Sequence, residues 1–114
     1  MARDLLQMDN SEPIVVLMTA ASADEASRIA EMLVEKRLAA CVQILPEMRS
    51  IYRWKGEIAR DQELLLLAKT VRSNFAALER EVRAIHSYET PEIVAVTMTE
   101  VSFDYLNWLR LELD

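Results

Sequence analysis

The chain has 114 residues, of which 52% are hydrophobic and 28% charged, with a net charge of -6 at pH 7 and a single cysteine. This length suits one globular domain, and the acidic balance argues against nucleic acid as a partner because phosphate binding needs clustered Lys and Arg. One cysteine excludes an internal disulfide, and no apolar run approaches the ~18 residues of a membrane span. The N-terminus lacks the apolar core of a signal peptide, so we expect a cytoplasmic protein without membrane contact.

Residues 1–12 are polar and mixed in character, which predicts a flexible leader. Residues 13–114 then form a single predicted domain. Its first segment, 14–19, is apolar and β-branched without alternation, and this pattern is typical of a strand in the middle of a sheet.

A helix is predicted next. Ser22 and Glu25 form a capping box, and the apolar residues behind them recur at helical spacing over 23–36. A second strand is predicted over 38–45. Pro46 interrupts it, because a proline within a strand requires an edge or a bulge, and we expect a bend there before the strand resumes.

The longest predicted feature is a hairpin. Tyr52 and Trp54 alternate with their neighbours at period two, and residues 55–56 include the only glycine of the chain as the tip of the turn. The returning strand runs over 57–70, with a predicted kink near residues 60–61. Its four consecutive leucines leave no polar face, so both of its faces must be covered.

The last third of the chain alternates helix, strand and helix. Ser73 is the predicted cap of a second long helix, which ends at His86. The loop 87–91 cannot continue that helix because its last residue is proline. An apolar strand follows over 93–98, and Ser102 is the predicted cap of a final amphipathic helix.

The predicted order is strand, helix, two strands, helix, strand and helix. This order is the βαββαβ arrangement of an α+β, ferredoxin-like sandwich with a bent, extended hairpin and an added C-terminal helix. Right-handed crossovers place the two long helices on one face of the sheet. The other face is then apolar and uncovered, and we expect identical subunits to bury it because such surfaces are rare on monomers.

Six segments together resemble a known family. They are residues 15–19, 38–42, 50–57, 69–70, 86–93 and 105–108. In this order and spacing the chain resembles CutA, the divalent-cation tolerance proteins. The resemblance implies a tight homotrimer, similar in fold to PII signalling proteins, with a cytoplasmic role in tolerance of copper and other divalent metals. Ser87 stands where this family usually has proline.

Three residues are candidate metal ligands. Cys41 and His86 are the only thiol and the only imidazole, and Met18 could add a thioether. These soft and borderline ligands suit copper or zinc, so copper or a similar divalent cation is the expected ligand, although no cofactor is required for folding. The alternative is structural: Cys41 is a small buried residue, and His86 donates to free carbonyls at a helix end.

A second candidate site is a cleft between subunits. Its predicted members are Tyr52, Trp54, Lys69, Tyr88 and Glu92. Aromatic rings beside a few polar groups describe a small-molecule pocket, and they equally describe the packed centre of an oligomer interface. Lys69 is expected to pair with Glu63 or Glu92, because a buried ammonium without a partner is unfavourable.

No nucleophile elbow, zinc-protease motif, paired Cys-x-x-Cys or glycine-rich phosphate loop occurs in the sequence, so we do not expect an enzyme. The leading prediction is a trimeric protein that binds or responds to divalent metal ions. The alternative, from another class, is a PII-like sensor that binds a nucleotide or metabolite in the inter-subunit cleft.

Overall fold

The fold is a four-stranded antiparallel sheet carrying α-helices, and the computed structural model describes residues 11–114. The elements are β1 (Pro13–Ala20), α1 (Ala23–Glu35), β2 (Cys41–Trp54), β3 (Glu57–Val71), α2 (Phe75–Ile85), β4 (Ile93–Thr97) and α3 (Phe103–Leu113). The strand order β2-β3-β1-β4 confirms the predicted split β-α-β topology. No helix in this described range is long and apolar enough to cross a membrane.

The hydrophobic core lies between the sheet and the two helices α1 and α2. Its larger buried members are Ile14, Val16, Met18, Ile29, Leu33, Leu64, Leu66, Leu78 and Val82. The sheet contributes every second residue of β1 and β3, because successive strand side chains point to opposite faces. Burial of each large aliphatic side chain contributes about 1.5–3 kcal/mol, so this layer holds the subunit together.

The leucine run of β3 therefore divides between two environments. Leu64 and Leu66 belong to the core, whereas Leu65 and Leu67 face the other side of the sheet and are half-buried. One end of that second face is covered by α3, where Leu109 is fully buried. The rest of the face has no covering element among the described residues.

The β2–β3 hairpin projects beyond the rest of the sheet as a two-stranded arm. β1 pairs with β3 only over Leu64–Val71, so the stretch from Glu57 to Glu63 pairs with β2 alone. Lys55 and Gly56 form the tip with φ of 50° and 84°, which are the left-handed values of a two-residue hairpin turn.

The predicted bend at Pro46 is a β-bulge. Leu45 pairs with Leu65 and Met48 pairs with Glu63, so two residues of β2 lie opposite one residue of β3. Proline is tolerated there because a bulged residue donates no ladder hydrogen bond. The kink predicted near residues 60–61 is absent from the strand pairing, which continues there without a shift.

The second strand begins at Cys41 rather than at Leu38. Arg37 has φ of 56°, which reverses the chain after α1, and the N–H groups of Leu38 and Ala39 donate to the carbonyl of Leu33 at 2.9 and 3.2 Å. These bonds satisfy the free carbonyl end of the helix and keep the two residues out of the sheet.

The predicted cap of the second long helix is also corrected. Ser73 lies inside a 3₁₀ turn, Arg72–Asn74, so Asn74 occupies the N-cap position, and its side chain makes no capping hydrogen bond to the helix. The Asn74 side chain instead donates to the Thr70 hydroxyl at 3.1 Å, which ties the turn to β3.

Most of the predicted leader, residues 1–10, lies outside the described residues. Glu12, which the prediction placed in the leader, is bound to the fold: its carboxylate is 2.9 Å from an Arg72 nitrogen, and its carbonyl accepts the Arg72 backbone N–H at 2.9 Å. The contacts of the fold therefore include a residue before Pro13.

Candidate functional site

An open cleft of about 740 Å³ lies between the arm and the loop that follows α2. The arm contributes Tyr52, Trp54 and Glu63, and Thr19 lies near the end of β1. The loop contributes Ser87, Tyr88, Glu89, Thr90 and Glu92. The structure thus brings together four of the five residues predicted for a cleft, namely Tyr52, Trp54, Tyr88 and Glu92. Whether a second subunit completes this cleft stays a prediction.

Tyr52 and Trp54 lie two residues apart on β2, so their rings project from the same face of the arm. The Tyr52 hydroxyl donates a hydrogen bond to the carboxylate of Asp61 on the paired strand. This bond raises the pKa of the Tyr52 phenol, because ionisation would place a phenolate against a carboxylate. Tyr52 therefore stays a neutral donor, and its ring is held in position at the cleft.

Tyr88 joins the loop to the arm. Its hydroxyl donates to Glu63 Oε2 at 2.7 Å, and its ring lies 4.8 Å from the His86 ring, centroid to centroid. Burial raises the pKa of the Tyr88 phenol, and the bond to the Glu63 carboxylate raises it further. Glu63 is a buried acid on β3, and Tyr88 supplies a hydrogen bond to it inside the fold.

The imidazole of His86 has a hydrogen-bond partner at each nitrogen. The backbone N–H of Tyr88 donates to Nδ1 at 3.0 Å, and Nε2 lies 2.8 Å from the carbonyl oxygen of Thr19. Because a carbonyl only accepts, the hydrogen-bond network assigns the proton to Nε2 and leaves Nδ1 as an acceptor. The ring is fully buried. His86 therefore fixes the loop to β1, and a metal ion would have to displace one of these bonds.

The capping box at the start of α1 extends into this loop. The N–H of Glu25 donates to Ser22 Oγ at 3.2 Å, as the sequence pattern predicts. The Glu25 carboxylate accepts from the Ala21 N–H at 3.1 Å, the Ser87 N–H at 2.7 Å and the Ser87 hydroxyl at 3.1 Å. A proline at position 87 would supply neither of the last two donors.

The ionisation of Glu25 reflects two opposed effects. Burial by itself raises the pKa of this carboxyl, but the hydrogen bonds from Ser87 and Ala21 outweigh burial, so the pKa lies below 4.5. Glu25 is thus an ionised carboxylate that holds the loop in place while remaining out of reach of solvent.

Cys41 is separate from this cluster. It is half-buried at the start of β2 and pairs with Lys69, which in turn pairs with Val15 on β1. His86 is bound to Thr19, four residues further along β1, which is about 13 Å at the rise of a strand. One chain therefore does not bring its thiol and its imidazole to the same position.

Met18, the third predicted ligand, is fully buried on the core face of β1. Cys41 pairs with a residue of the opposite face, so the thioether and the thiol point to different sides of the sheet. Within residues 11–114, no group of three or more His, Cys, Asp or Glu side chains could hold a metal ion. Metal binding by these residues stays a prediction, and a site with three such donors would need some from elsewhere.

Lys69 does not lie in the cleft, and its predicted pairing with Glu63 or Glu92 is wrong. Its ammonium donates to Gln43 Oε1 on β2 and lies 6.0 Å from the centre of the Tyr105 ring. The reason is the register of β3, which places Lys69 six residues from Glu63 at the end of the sheet covered by α3.

Sequence reasoning missed the structural importance of Glu25, Glu63 and Ser87. The capping-box pattern identified Glu25 as a helix-start residue, but nothing local indicated its bonds to a loop 62 residues away. Glu63 offered one signal, since it is an acid bordering a run of leucines in a strand predicted to be buried. A buried acid requires a donor, and this requirement could have directed attention to a nearby hydroxyl.

The chain is an α+β protein with a split β-α-β sheet and a protruding two-stranded arm, and a cleft of acidic and aromatic residues lies beside the arm. The sequence model of the CutA1 divalent ion tolerance protein family matches residues 14–112, and the chain belongs to this family.

Individual relatives agree with this assignment. The chain is 54% identical over 96 residues to the divalent-cation tolerance protein CutA of Thermus thermophilus, covering 84% of this chain and 93% of that protein. It is 47% identical over 85 residues to human protein CutA; the match covers 75% of this chain and 48%, or about half, of that protein.

Solved structures show the same likeness. The divalent cation tolerance protein of Thermus thermophilus superposes with a TM-score of 0.86 at 52% identity, covering 88% of this chain and 97% of that chain. CutA1 of Oryza sativa superposes with a TM-score of 0.87 at 36% identity, covering 91% of this chain and 95% of that chain. The fold predicted from the sequence is therefore that of the family.

Proposed function

We propose that the chain forms a cytoplasmic homotrimer that binds divalent metal ions, copper among them, and acts in metal tolerance without being an enzyme. The family supports the relation to divalent cations. The observation that supports the proposed trimer is the apolar surface that a single subunit leaves uncovered.

That surface has two parts. On the edge strand β4, Val94 and Val96 are both 51% exposed, and their partners on β1 place them on the sheet face opposite α1 and α2. On the arm, Ile51 is 63% exposed and Ile58 is 51% exposed. Large exposed apolar areas are rare on monomers, and a closed ring of identical subunits can bury both parts without leaving an edge strand free.

The trimer is tested by light scattering during gel filtration at micromolar protein. We expect a species three times the 13.1 kDa of the chain. Replacement of Val94 and Val96 together by Asp should dissociate it, because burying two carboxylates in an apolar contact is strongly unfavourable. Ala76→Asp on the exposed side of α2 is the matched control and should leave the trimer intact. A stable species of 13.1 kDa for the wild type would contradict the proposal.

Cys41 is the side chain best placed to contribute a metal ligand. Its thiol is half-buried on the sheet face opposite α1 and α2, at the end that α3 covers, and β2 is an edge strand that a neighbouring subunit can approach. Residues of a neighbouring subunit would then be the source of further donors. A thiolate favours Cu(I), and copper exceeds zinc in affinity for such sites.

The metal proposal is tested by titration calorimetry with copper on the intact protein. Cys41→Ser should lower the stoichiometry or the affinity, and His86→Ala should lower the affinity if the ring leaves its two hydrogen bonds to bind. Met18→Leu, which removes the thioether at nearly constant volume, shows whether the core sulfur contributes. Unchanged copper binding in both Cys41→Ser and His86→Ala, with the oligomer intact, would contradict the proposal.

The cytoplasmic location is tested by cell fractionation with a compartment marker. Among related proteins, the one from Arabidopsis thaliana is named chloroplastic, and that from Archaeoglobus fulgidus is named periplasmic. Recovery of the native protein from a fraction outside the cytoplasm would contradict this part of the proposal.

A second candidate function is small-molecule sensing, which the cleft of about 740 Å³ favours. Pockets that enclose drug-sized ligands span about 300–1,000 Å³. The cleft is nevertheless unsuited to a nucleotide, because it offers carboxylates where phosphates require Lys, Arg or a helix N-terminus.

A further inference from the structure

The charge of the cleft selects for a cation. Glu63, Glu89 and Glu92 line it, and among residues 11–114 none of its lining side chains is Lys, Arg or His. Carboxylates that share a cleft raise the local concentration of positively charged solutes and repel anions. A ligand for this cleft should therefore carry positive charge.

The aromatic rings narrow the kind of cation. Tyr52, Trp54 and Tyr88 line the same space as the carboxylates. An ammonium group within about 6 Å of a ring centre is attracted by the negative face of the ring, most strongly for Trp. Divalent metal ions are held by oxygen, nitrogen or sulfur donors and not by ring faces, and no group of three or more His, Cys, Asp or Glu side chains within residues 11–114 could hold one. Rings beside carboxylates therefore indicate an organic ammonium rather than a bare metal ion.

The chain itself supplies an ammonium group at this position. Lys55 at the arm tip places Nζ 5.7 Å from the centre of the Trp54 ring and 3.9 Å from Glu89 Oε2. Its side chain is 73% exposed, so it can leave without disturbing the fold. A ring face and a carboxylate thus already hold a primary ammonium at the edge of the cleft.

We propose that the cleft binds an organic ammonium ion of metabolite size, such as a linear diamine, between the Trp54 face and the cleft carboxylates. Lys55 occupies part of this position and competes with the ligand. The proposal develops the small-molecule candidate function and does not depend on metal binding at Cys41.

The test uses three compounds with the same five-carbon chain and different charge: 1,5-diaminopentane, 1,5-pentanediol and glutarate. Titration calorimetry on the intact protein measures each Kd. We expect the diamine to bind at least tenfold more tightly than the diol, and glutarate not to bind. Raising the salt concentration to ~0.5 M should weaken binding of the diamine, since exposed charges are screened within a few Å at high salt.

Variants assign the binding to the cleft. Trp54→Leu should weaken the diamine about fivefold, because one cation–π contact contributes about 1 kcal/mol. Glu89→Gln should also weaken binding of the diamine. Lys55→Gln should strengthen it several-fold by removing the competitor. Trp108→Phe, on α3 and outside the cleft, is the matched control and should change nothing.

Three results would overturn the proposal: equal affinities for diamine and diol, diamine binding unaffected by Trp54→Leu, or no diamine binding at millimolar concentration while the oligomer is intact. If Lys55→Gln leaves the Kd of the diamine unchanged, Lys55 does not compete with the ligand. The metal proposal fails or survives separately, because Cys41→Ser should leave diamine binding unchanged and Trp54→Leu should leave copper binding unchanged.

Discussion

Glu25 joins the first turn of α1 to the loop after α2, and Glu25→Gln removes its charge at nearly constant volume. The wild-type carboxylate accepts three hydrogen bonds, two from Ser87 and one from the Ala21 N–H. An amide has one oxygen and one NH₂ group, so in the variant at least one of these donors faces another donor. The residue is buried, and water cannot readily replace the lost acceptor.

The expected loss in the free energy of unfolding is about 1.5–3 kcal/mol, the range for a hydrogen bond to a charged group whose partner is left unsatisfied. The lower end applies if Ala21 turns to solvent, because that residue is exposed and its N–H can find water. The upper end applies if the Ser87 N–H, which makes the shortest of the three bonds at 2.7 Å, loses its acceptor.

The effect should depend on pH in a defined direction. The folded-state pKa of Glu25 lies below the unfolded value of 4.5, so the folded state favours the ionised form. The contribution of the charge is therefore fully present above pH 4.5 and is lost as the pH falls through the folded pKa. The difference between wild type and Glu25→Gln should shrink below pH 4.5.

Urea unfolding at one fixed protein concentration, followed by circular dichroism at pH 7 and at several acidic values, provides the measurement, since oligomer stability depends on concentration. Glu31→Gln, on the exposed side of the same helix, is the control and should change stability by less than ~0.5 kcal/mol. A Glu25→Gln variant as stable as Glu31→Gln at pH 7 would refute the argument, as would a difference that grows on acidification.

Three further predictions concern the loop after α2, the tip of the arm and the residue before β1. Tyr88→Phe removes the donor of buried Glu63 and should lower stability by about 1–3 kcal/mol in thermal unfolding, whereas no loss would mean that water replaces the hydroxyl. Gly56→Ala, at φ of 84°, should lower stability by about 1 kcal/mol or more in urea unfolding, and an unchanged midpoint would argue against the left-handed turn. Glu12→Gln breaks the exposed pair with Arg72 and should change stability by less than ~1 kcal/mol, so a larger loss on urea unfolding would show that the pair is not a surface contact.

The sequence by itself determined the elements and their order. Apolar residues at 3.6-residue spacing marked α1, and the alternation of Tyr52 and Trp54 before the only glycine, Gly56, marked the hairpin. Pro46 marked the bulge. These features depend on residues within a few positions of one another, and such local geometry is encoded directly in the sequence. The strand order followed from connection rules rather than from any single residue.

The tertiary structure alone decided which side chains meet. Ser87 reaches Glu25 across 62 positions, and Lys69 lies beside Gln43 rather than Glu63 because the register of the sheet sets its neighbours. The same holds for the ring of His86, whose two nitrogens are engaged by a strand carbonyl and a loop N–H. Such contacts join segments distant in sequence, and their partners are chosen by strand register and helix placement. No local pattern carries that information, so the residue types were visible in the sequence while their roles were not.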